Sequence, residues 1–281
     1  METPSTEKFL KNLEEIINRF EVGKTNQKTI NKQLGITYTP QPIIDYIILK
    51  AFNLYFEEYF LLPEFSDFDT FLIELQNQMS LNNDLKEEVT EKLGKIKILD
   101  PASGSGRFMV SVAEKLYKIY KILDSKLTDL EIKKRVLKEN LFGTEIERSA
   151  YIITKTRLIH WILSDNENML EIPEFNPKNL QLEDLDKKLQ LLDIHLNNYN
   201  KDFLLEFDSL KFDIIVGNPP YVENKRIKDL EFKRGLKRRF KSAYRLFDLS
   251  IIFIERALEM LKENEGCLSM VTTNKFLSAD Y

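Results

Sequence analysis

The amino-acid sequence predicts an α/β fold with a mostly parallel sheet, preceded by a helical region. In residues 1–94 apolar side chains recur at helical spacing, and no short apolar run typical of a strand interrupts them. From Lys95 onwards, short apolar runs alternate with amphipathic segments, which indicates repeated strand–helix–strand units. We therefore predict an N-terminal helical region over residues 1–94 and an α/β domain over residues 95–281.

The order of elements follows from the same spacing. In the first region, helices are predicted over residues 5–20, 42–60 and 66–93, the last divided in two near Asn82, with a polar linker over residues 23–35. Five apolar runs are expected to be strands: 96–100, 141–145, 191–195, 212–216 and 267–272. Further helices are expected over residues 107–123, 147–163 and 245–262. Residues 165–190 are polar and interrupted by prolines, which indicates a loop with a short helix.

Charge is unevenly distributed along the chain. The formal net charge is −4, yet residues 224–245 contain ten Lys or Arg against Asp229 and Glu231, so this segment alone carries +8. Phosphate binding depends on where charge lies rather than on the total. The segment is therefore a candidate DNA-binding surface, although a solvated helix face is the alternative. The candidate contacts are Lys233, Arg234, Lys237, Arg238, Arg239 and Lys241.

Composition excludes several classes of protein. A single cysteine, Cys267, excludes an internal disulfide, and two histidines leave few ligands for a metal. The amino terminus has no signal-peptide core, and no apolar run approaches the roughly 18 residues of a membrane span. We expect a soluble cytoplasmic protein that uses neither a metal nor a membrane.

The turn after the first predicted strand contains candidate cofactor-binding residues. Gly104 and Gly106 let the backbone approach a ligand closely, and the helix that follows presents free N–H groups. Glu145 ends the next predicted strand, where a carboxylate can accept both hydroxyls of a ribose. Later in the chain, Asp202 and Phe203 could offer a carboxylate to an adenine amino group and a ring to its face. The alternatives are a solvated strand-end acid for Glu145 and a core ring for Phe203.

A tetrapeptide at the end of the fourth predicted strand is the candidate catalytic motif. It consists of Asn218, Pro219, Pro220 and Tyr221. The two prolines fix the direction of the Pro219 carbonyl, and the Asn218 side-chain oxygen is a second acceptor. Two acceptors on one –NH2 group would draw the nitrogen lone pair out of conjugation, while Tyr221 would stack on a displaced base. A structural proline turn after a buried strand is the alternative.

Together these motifs resemble the N6-adenine DNA methyltransferases, in particular the Eco57I-like or type IIG restriction–modification enzymes. The resemblance covers about residues 30–281, in the family's motif order. It rests on the segments Thr37–Pro40, Asp100–Phe108, Glu145, Asp202–Phe203, Asn218–Tyr221, Leu246–Asp248 and Met270–Leu277.

The resemblance implies a Rossmann-like fold, S-adenosylmethionine as cofactor, double-stranded DNA as substrate and direct transfer of a methyl group to adenine N6. Asn218, Pro219, Pro220 and Tyr221 would be catalytic. The implied cofactor-binding residues are Thr37, Tyr38, Thr39, Pro40, Asp100, Pro101, Ala102, Gly104, Gly106, Phe108, Glu145, Asp202 and Phe203.

The chain departs from the family pattern at its carboxyl end. Family members continue beyond the fifth strand with further strands and a target-recognition domain, so we expect an incomplete catalytic domain that works with a separate specificity or C-terminal portion. A nuclease activity is not expected. A methyltransferase for RNA adenine or protein glutamine, and a non-catalytic DNA-binding or assembly fragment, are the alternatives.

Overall fold

Five parallel strands form the centre of the fold, which a computed structural model describes for residues 6–26, 39–60, 64–124, 126–164, 182–207 and 210–273. The strands are β1 (Ile98–Asp100), β2 (Leu141–Thr144), β3 (Asn197–Tyr199), β4 (Ile214–Gly217) and β5 (Cys267–Met270). Their order across the sheet is β3-β2-β1-β4-β5, and every neighbouring pair is parallel. This is a doubly wound order, so the predicted α/β class with a mostly parallel sheet is confirmed.

Helices precede the sheet and connect its strands. Among the described residues, those before the sheet form α1 (Thr6–Asn26), α2 (Gln41–Phe60), α3 (Phe68–Leu81) and α4 (Asn83–Leu93). The others are α5 (Arg107–Leu123), α6 (Asp129–Arg135), α7 (Arg148–Leu163), α8 (Leu182–Leu191), α9 (Leu230–Arg239) and α10 (Leu249–Met260). The predicted division between α3 and α4 is confirmed, because the Asn82 side chain accepts a hydrogen bond from Leu85 N and begins α4 there.

Apolar side chains cover both faces of the sheet, as the buried runs of parallel strands require. On one face, Ile98 and Ile214 join a cluster that includes residues of α1 to α7. On the other, Leu99 and Ile215 pack in a second cluster that includes Ile252 of α10. The N-terminal helices therefore share a core with the sheet, and Ser269 of β5 donates to the Ile47 carbonyl of α2 at 3.0 Å.

The third strand is where the sequence-based prediction was wrong. Residues 191–195, which were expected to be a strand, contain the last residue of α8 and a turn in which Asp193 has φ +51°. Leu192 and Ile194 are buried there, but against the core beside α8 rather than in the sheet. The strand lies at Asn197–Tyr199 instead, where polar residues pair with β2 at the sheet edge.

Several helices also differ from the predictions. The basic segment forms α9, capped by the Asp229 carboxylate, which accepts from the Glu231 and Phe232 N–H groups. Helix α10 begins at Leu249 rather than at residue 245, and α1 extends into the predicted linker. In the part of the chain that the structure describes, no helix is long and apolar enough to cross a bilayer.

Candidate active site at the carboxyl ends of β1 and β4

The strand order reverses between β1 and β4, and ligands bind to doubly wound sheets at such a reversal. Two predicted motifs meet there. Asp100 ends β1 and leads into the glycine-rich turn, while Asn218 immediately follows β4. A Cβ atom added to Gly217 would lie 2.8 Å from Asp100 Oδ1, so the two strand ends are in close contact. The fold thus brings together residues more than one hundred positions apart.

Hydrogen bonds from β2 and α7 fix the glycine-rich turn. Ser103 N donates to the Thr144 carbonyl at 2.9 Å, and Thr154 Oγ1 donates to the Gly104 carbonyl at 2.8 Å. Gly106 has φ +80° and lies against Thr154, where a Cβ would come within 3.0 Å of the threonine methyl carbon. Only glycine fits this position, which begins α5 without a side-chain cap.

The Glu145 carboxylate connects the turn to the end of β2. Its Oε2 accepts a hydrogen bond from Gly104 N at 2.8 Å, and its Oε1 accepts one from Glu147 N at the same distance. The side chain is half-buried. Glu145 therefore orders the glycine-rich turn, and its binding of a ribose stays a prediction.

Asp100 lies in the floor of the site. Its carboxylate is buried, and Oδ1 accepts a hydrogen bond from Ala102 N at 3.2 Å, whereas Oδ2 has no hydrogen-bond partner among the described residues. Burial, reinforced by the nearby Glu145 charge and opposed by the Ala102 hydrogen bond, raises the pKa of Asp100 to about 7. The Ser103 hydroxyl is likewise buried without a partner, which leaves two unsatisfied polar groups in one turn.

Both polar atoms of the Asn218 amide are bonded. Nδ2 donates to Thr39 Oγ1 at 2.8 Å, and Oδ1 lies 2.7 Å from the Tyr221 hydroxyl. That hydroxyl also lies 2.9 Å from the Val271 carbonyl oxygen, so its one proton has two alternative acceptors. Burial raises the pKa of Tyr221 to about 12, and the Asp248 charge adds to the effect. Tyr221 therefore keeps its proton at neutral pH.

Thr39 joins the two halves of the site. Its carbonyl accepts a hydrogen bond of 2.6 Å from the Arg107 guanidinium at the start of α5, while its hydroxyl holds Asn218. Pro40 is exposed, and its carbonyl begins α2. Thr37 and Tyr38 lie outside the described residues.

Two arginines that the sequence did not single out also contact the site. Arg107 reaches Thr39, and Arg157 donates to the Ser105 carbonyl at 2.8 Å while pairing with Glu21 of α1. Arg107 follows the glycine-rich turn directly, which was a usable signal. No such signal in the sequence pointed to Arg157, because a lone arginine in a helix is indistinguishable from a surface charge.

The aromatic candidates for cofactor contact lie in the core. Phe203 is 2% exposed, and its ring centre lies 5.3 Å from that of Phe253. Phe108 is also buried. The Asp202 carboxylate accepts hydrogen bonds from Leu204 N and Leu205 N in a local turn. Burial raises the pKa of Asp202, opposed by these two hydrogen bonds. The proposed contacts of these three residues with a cofactor stay predictions.

The basic segment presents its cations to solvent on α9. Leu236 is its buried contact with the core, and Arg234, Lys237 and Arg238 are exposed. Lys233 is half-buried and donates to the Asn224 carbonyl at 2.9 Å. Arg239 lies 3.9 Å from Glu259, and Lys241 follows the helix in an exposed turn. Among the described residues no group of three or more His, Cys, Asp or Glu could hold a metal ion.

Comparison with known proteins gives a consistent picture. The Eco57I restriction-modification methylase family model matches residues 139–281. The type II restriction enzyme and methyltransferase RM.Eco57I of Escherichia coli is 39% identical over 77 residues, which are 27% of this chain and 8% of that protein. A putative type II restriction enzyme and methyltransferase of Methanocaldococcus jannaschii is 30% identical over 157 residues, 49% of this chain and 13% of that protein. The matched regions are thus a small part of each relative's length.

Solved structures agree on the fold. The type IIL restriction-modification enzyme MmeI, solved in complex with DNA, superposes with a TM-score of 0.53 at 20% identity over 83% of this chain and 30% of MmeI. The DrdV–DNA complex gives a TM-score of 0.51 at 18% identity over 89% of this chain and 21% of that chain. Because the family model matches half of the sequence, from just before β2 through β5, this chain belongs to the Eco57I restriction-modification methylase family.

Proposed function

We propose that this chain transfers a methyl group from S-adenosylmethionine to N6 of adenine in double-stranded DNA, as the modification activity of a restriction–modification system. The observation that carries the proposal is the contact between two strand ends. Asn218, with its amide oriented by Thr39, lies beside the glycine-rich turn at the point where the strand order reverses. This juxtaposition suits an enzyme that holds an amine next to a nucleoside cofactor.

The turn has features that fit S-adenosylmethionine. Asp100 Oδ2 and the Ser103 hydroxyl are buried without partners in the part of the chain that the structure describes, and a ligand with amino and hydroxyl groups would satisfy them. Gly104 has φ +54° with no close side-chain neighbour, and the uncapped start of α5 offers N–H groups. Thr39, Asp100 and Glu145 are the residues that we propose to hold the cofactor. When bound, it would supply a methyl group on a positively charged sulfur.

The Asn218–Tyr221 segment (the amine clamp) would hold the amine. Asn218 Oδ1 and the Pro219 carbonyl are the two acceptors for the –NH2 hydrogens. In this structure Oδ1 accepts the Tyr221 hydroxyl proton, and rotation of that proton towards the Val271 carbonyl would free Oδ1 for the substrate. A neutral amide is a weak base, so Asn218 would orient the amine rather than remove its proton.

The decisive experiment measures transfer of a tritiated methyl group to DNA. The 281-residue chain would be incubated with labelled S-adenosylmethionine and unmethylated genomic DNA, RNA or a glutamine-rich protein in parallel. We expect label in DNA only, and digestion to nucleosides should yield N6-methyldeoxyadenosine. Label in RNA or protein would mean that the amine clamp acts on that substrate instead. N4-methylcytosine in the DNA would refute the adenine assignment.

Replacing Glu145 with alanine tests the cofactor site separately. Removing this carboxylate frees the Gly104 N–H and deprives a ribose of its acceptor, so we expect S-adenosylmethionine affinity to fall about 10–100-fold. Titration calorimetry gives the affinity directly. The matched control is Glu147→Ala, two residues away, whose carboxylate caps α7 by accepting from Ser149 N and Ala150 N. Equal losses in both variants would assign the effect to stability rather than to cofactor binding.

DNA contact is proposed for the exposed cations of α9. Replacing Lys237, Arg238 and Arg239 with alanine should weaken duplex binding and reduce the slope of log affinity against log salt by about 2–3. Fluorescence anisotropy at several salt concentrations measures this slope. The control replaces Lys11, Lys118 and Lys187, which are exposed elsewhere, and so makes the same change in net charge. A slope that falls equally in both variants would mean that α9 is an ordinary solvated face.

The remaining proposals concern organisation. We propose that residues 95–281 carry the catalytic machinery and that residues 1–94 support it. Because the curated relatives are several times longer, recognition of the target sequence is assigned to another portion of the enzyme. The proposed location is the cytoplasm, where chromosomal DNA is accessible in a bacterium.

A further inference from the structure

A short tip beside the candidate active site combines exposed apolar side chains with an unusual backbone. In residues 244–246 (the 244–246 tip), Leu246 is 80% exposed and Tyr244 is 62% exposed. Arg245 between them has φ +48°, a conformation that costs free energy for a residue with a Cβ atom. Neither the core nor the proposed chemistry uses these side chains. An exposed apolar group on strained backbone indicates a surface role.

The tip is held rigidly at both ends. Ala243 and Phe247, which flank it, are both buried. The Asn224 side chain donates to the Arg245 carbonyl at 2.6 Å, and Asn224 N donates to the Phe247 carbonyl at 2.8 Å. The Arg245 guanidinium lies 5.0 Å from the centre of the Tyr244 ring. The apolar side chains are therefore presented on a fixed support.

Contacts with residues 222–224 also define the position of the 244–246 tip. Asn224 follows Tyr221 of the amine clamp by three residues, and Leu249 N, just after the tip, donates to the Val222 carbonyl at 3.0 Å. The Asn224 carbonyl also accepts a hydrogen bond from the Lys233 ammonium of α9. The 244–246 tip thus lies between the amine clamp and the basic helix, so a duplex attracted by α9 would meet it next to the displaced base.

We propose that the 244–246 tip is a wedge that enters double-stranded DNA at the position a displaced base has left, with Leu246 at its apex. The inference rests on the proposed function, because it assumes that a base leaves the duplex for the Asn218 segment. Charge complementarity favours DNA as the occupant, since Arg245 belongs to the tip and Lys233 of the basic helix α9 bonds to Asn224, which holds the tip. Apolar side chains inserted between base steps compensate part of the lost stacking.

The test compares two short duplexes of the same non-specific sequence, one intact and one with a single abasic nucleotide at its centre. A missing base lowers the cost of opening the stack, so a wedge should favour the abasic duplex by about fivefold or more. Fluorescence anisotropy with the 281-residue chain measures both affinities. We expect Leu246→Ala to remove this preference while leaving intact-duplex affinity and its salt slope unchanged.

The matched control is Leu258→Ala on α10, which replaces another exposed leucine (58%) and should retain the preference. Because Leu246 makes little contact with the core, its replacement should leave the thermal unfolding midpoint unchanged. No preference in the unaltered chain, or a preference that survives Leu246→Ala, overturns the wedge. Absent methyl transfer with the preference intact overturns the proposed function alone, and no binding to either duplex overturns both.

Discussion

Replacing Asn218 with alanine is expected to reduce methyl transfer by about 10³-fold while leaving S-adenosylmethionine affinity nearly unchanged. In the proposed mechanism the side chain supplies one of two acceptors for the substrate amine, and the Nδ2 bond to Thr39 fixes the orientation of the amide. Without it, the amine loses an acceptor that acts when charge develops on the nitrogen. Single-turnover rates with labelled cofactor, together with calorimetry, separate the two quantities.

The control for this variant is Asn197→Ala. Asn197 begins β3, and its amide donates to the Lys138 carbonyl at 2.7 Å, so an asparagine is removed from the sheet but away from the candidate site. We expect it to retain most of the transfer rate. If Asn218→Ala lost cofactor affinity and transfer in equal proportion, Asn218 would be a structural residue of the strand end.

Replacing Asp100 with asparagine is expected to change how stability depends on pH. In the folded chain the pKa of Asp100 is raised to about 7, whereas in the unfolded chain it is near the ordinary value of 3.8. Between these values the unfolded chain releases a proton that the folded chain retains, so this group lowers stability as pH rises from about 4 to about 7. An asparagine side chain cannot ionise in this range, so the stability of the variant does not fall with pH for this reason.

The expected difference is largest above pH 7. There, Asp100→Asn should be more stable than the unaltered chain by about 2–4 kcal/mol, and the difference should vanish as pH falls towards 4. Urea unfolding without ligand at several pH values measures it. Asp193→Asn, a change in an exposed turn, is the control. A difference that stays constant with pH would show that Asp100 is ionised in the folded chain.

Four of the five strands were predictable because each lies in a short, largely apolar run, and β1, β2 and β4 are buried throughout. The third was not, because Asn197 and Asn198 have low strand propensity and pair only at the sheet edge, where β2 supplies the partner. The preceding apolar residues, Leu192 and Ile194, gave a misleading signal because a helix end and a turn can also be buried.

The candidate site was predictable as a set of motifs but not as a set of contacts. Asn218 and Thr39 are 179 positions apart, and their hydrogen bond depends on how α2 packs against β4. The sequence likewise could not reveal that the Tyr221 hydroxyl reaches Asn218 Oδ1. Phe203 shows the converse limit, since an aromatic residue after a strand suits a ligand face or the core equally, and here it is in the core.

The double role of Thr39 limits how members of this family can be recombined. Its carbonyl holds Arg107, which follows the glycine-rich turn, and its hydroxyl holds Asn218 after β4, although it belongs to neither stretch of sequence. A chimaera that joined the helical region of one relative to the sheet of another would therefore have to preserve both partners in register. The helical region and the sheet would therefore have to be exchanged together.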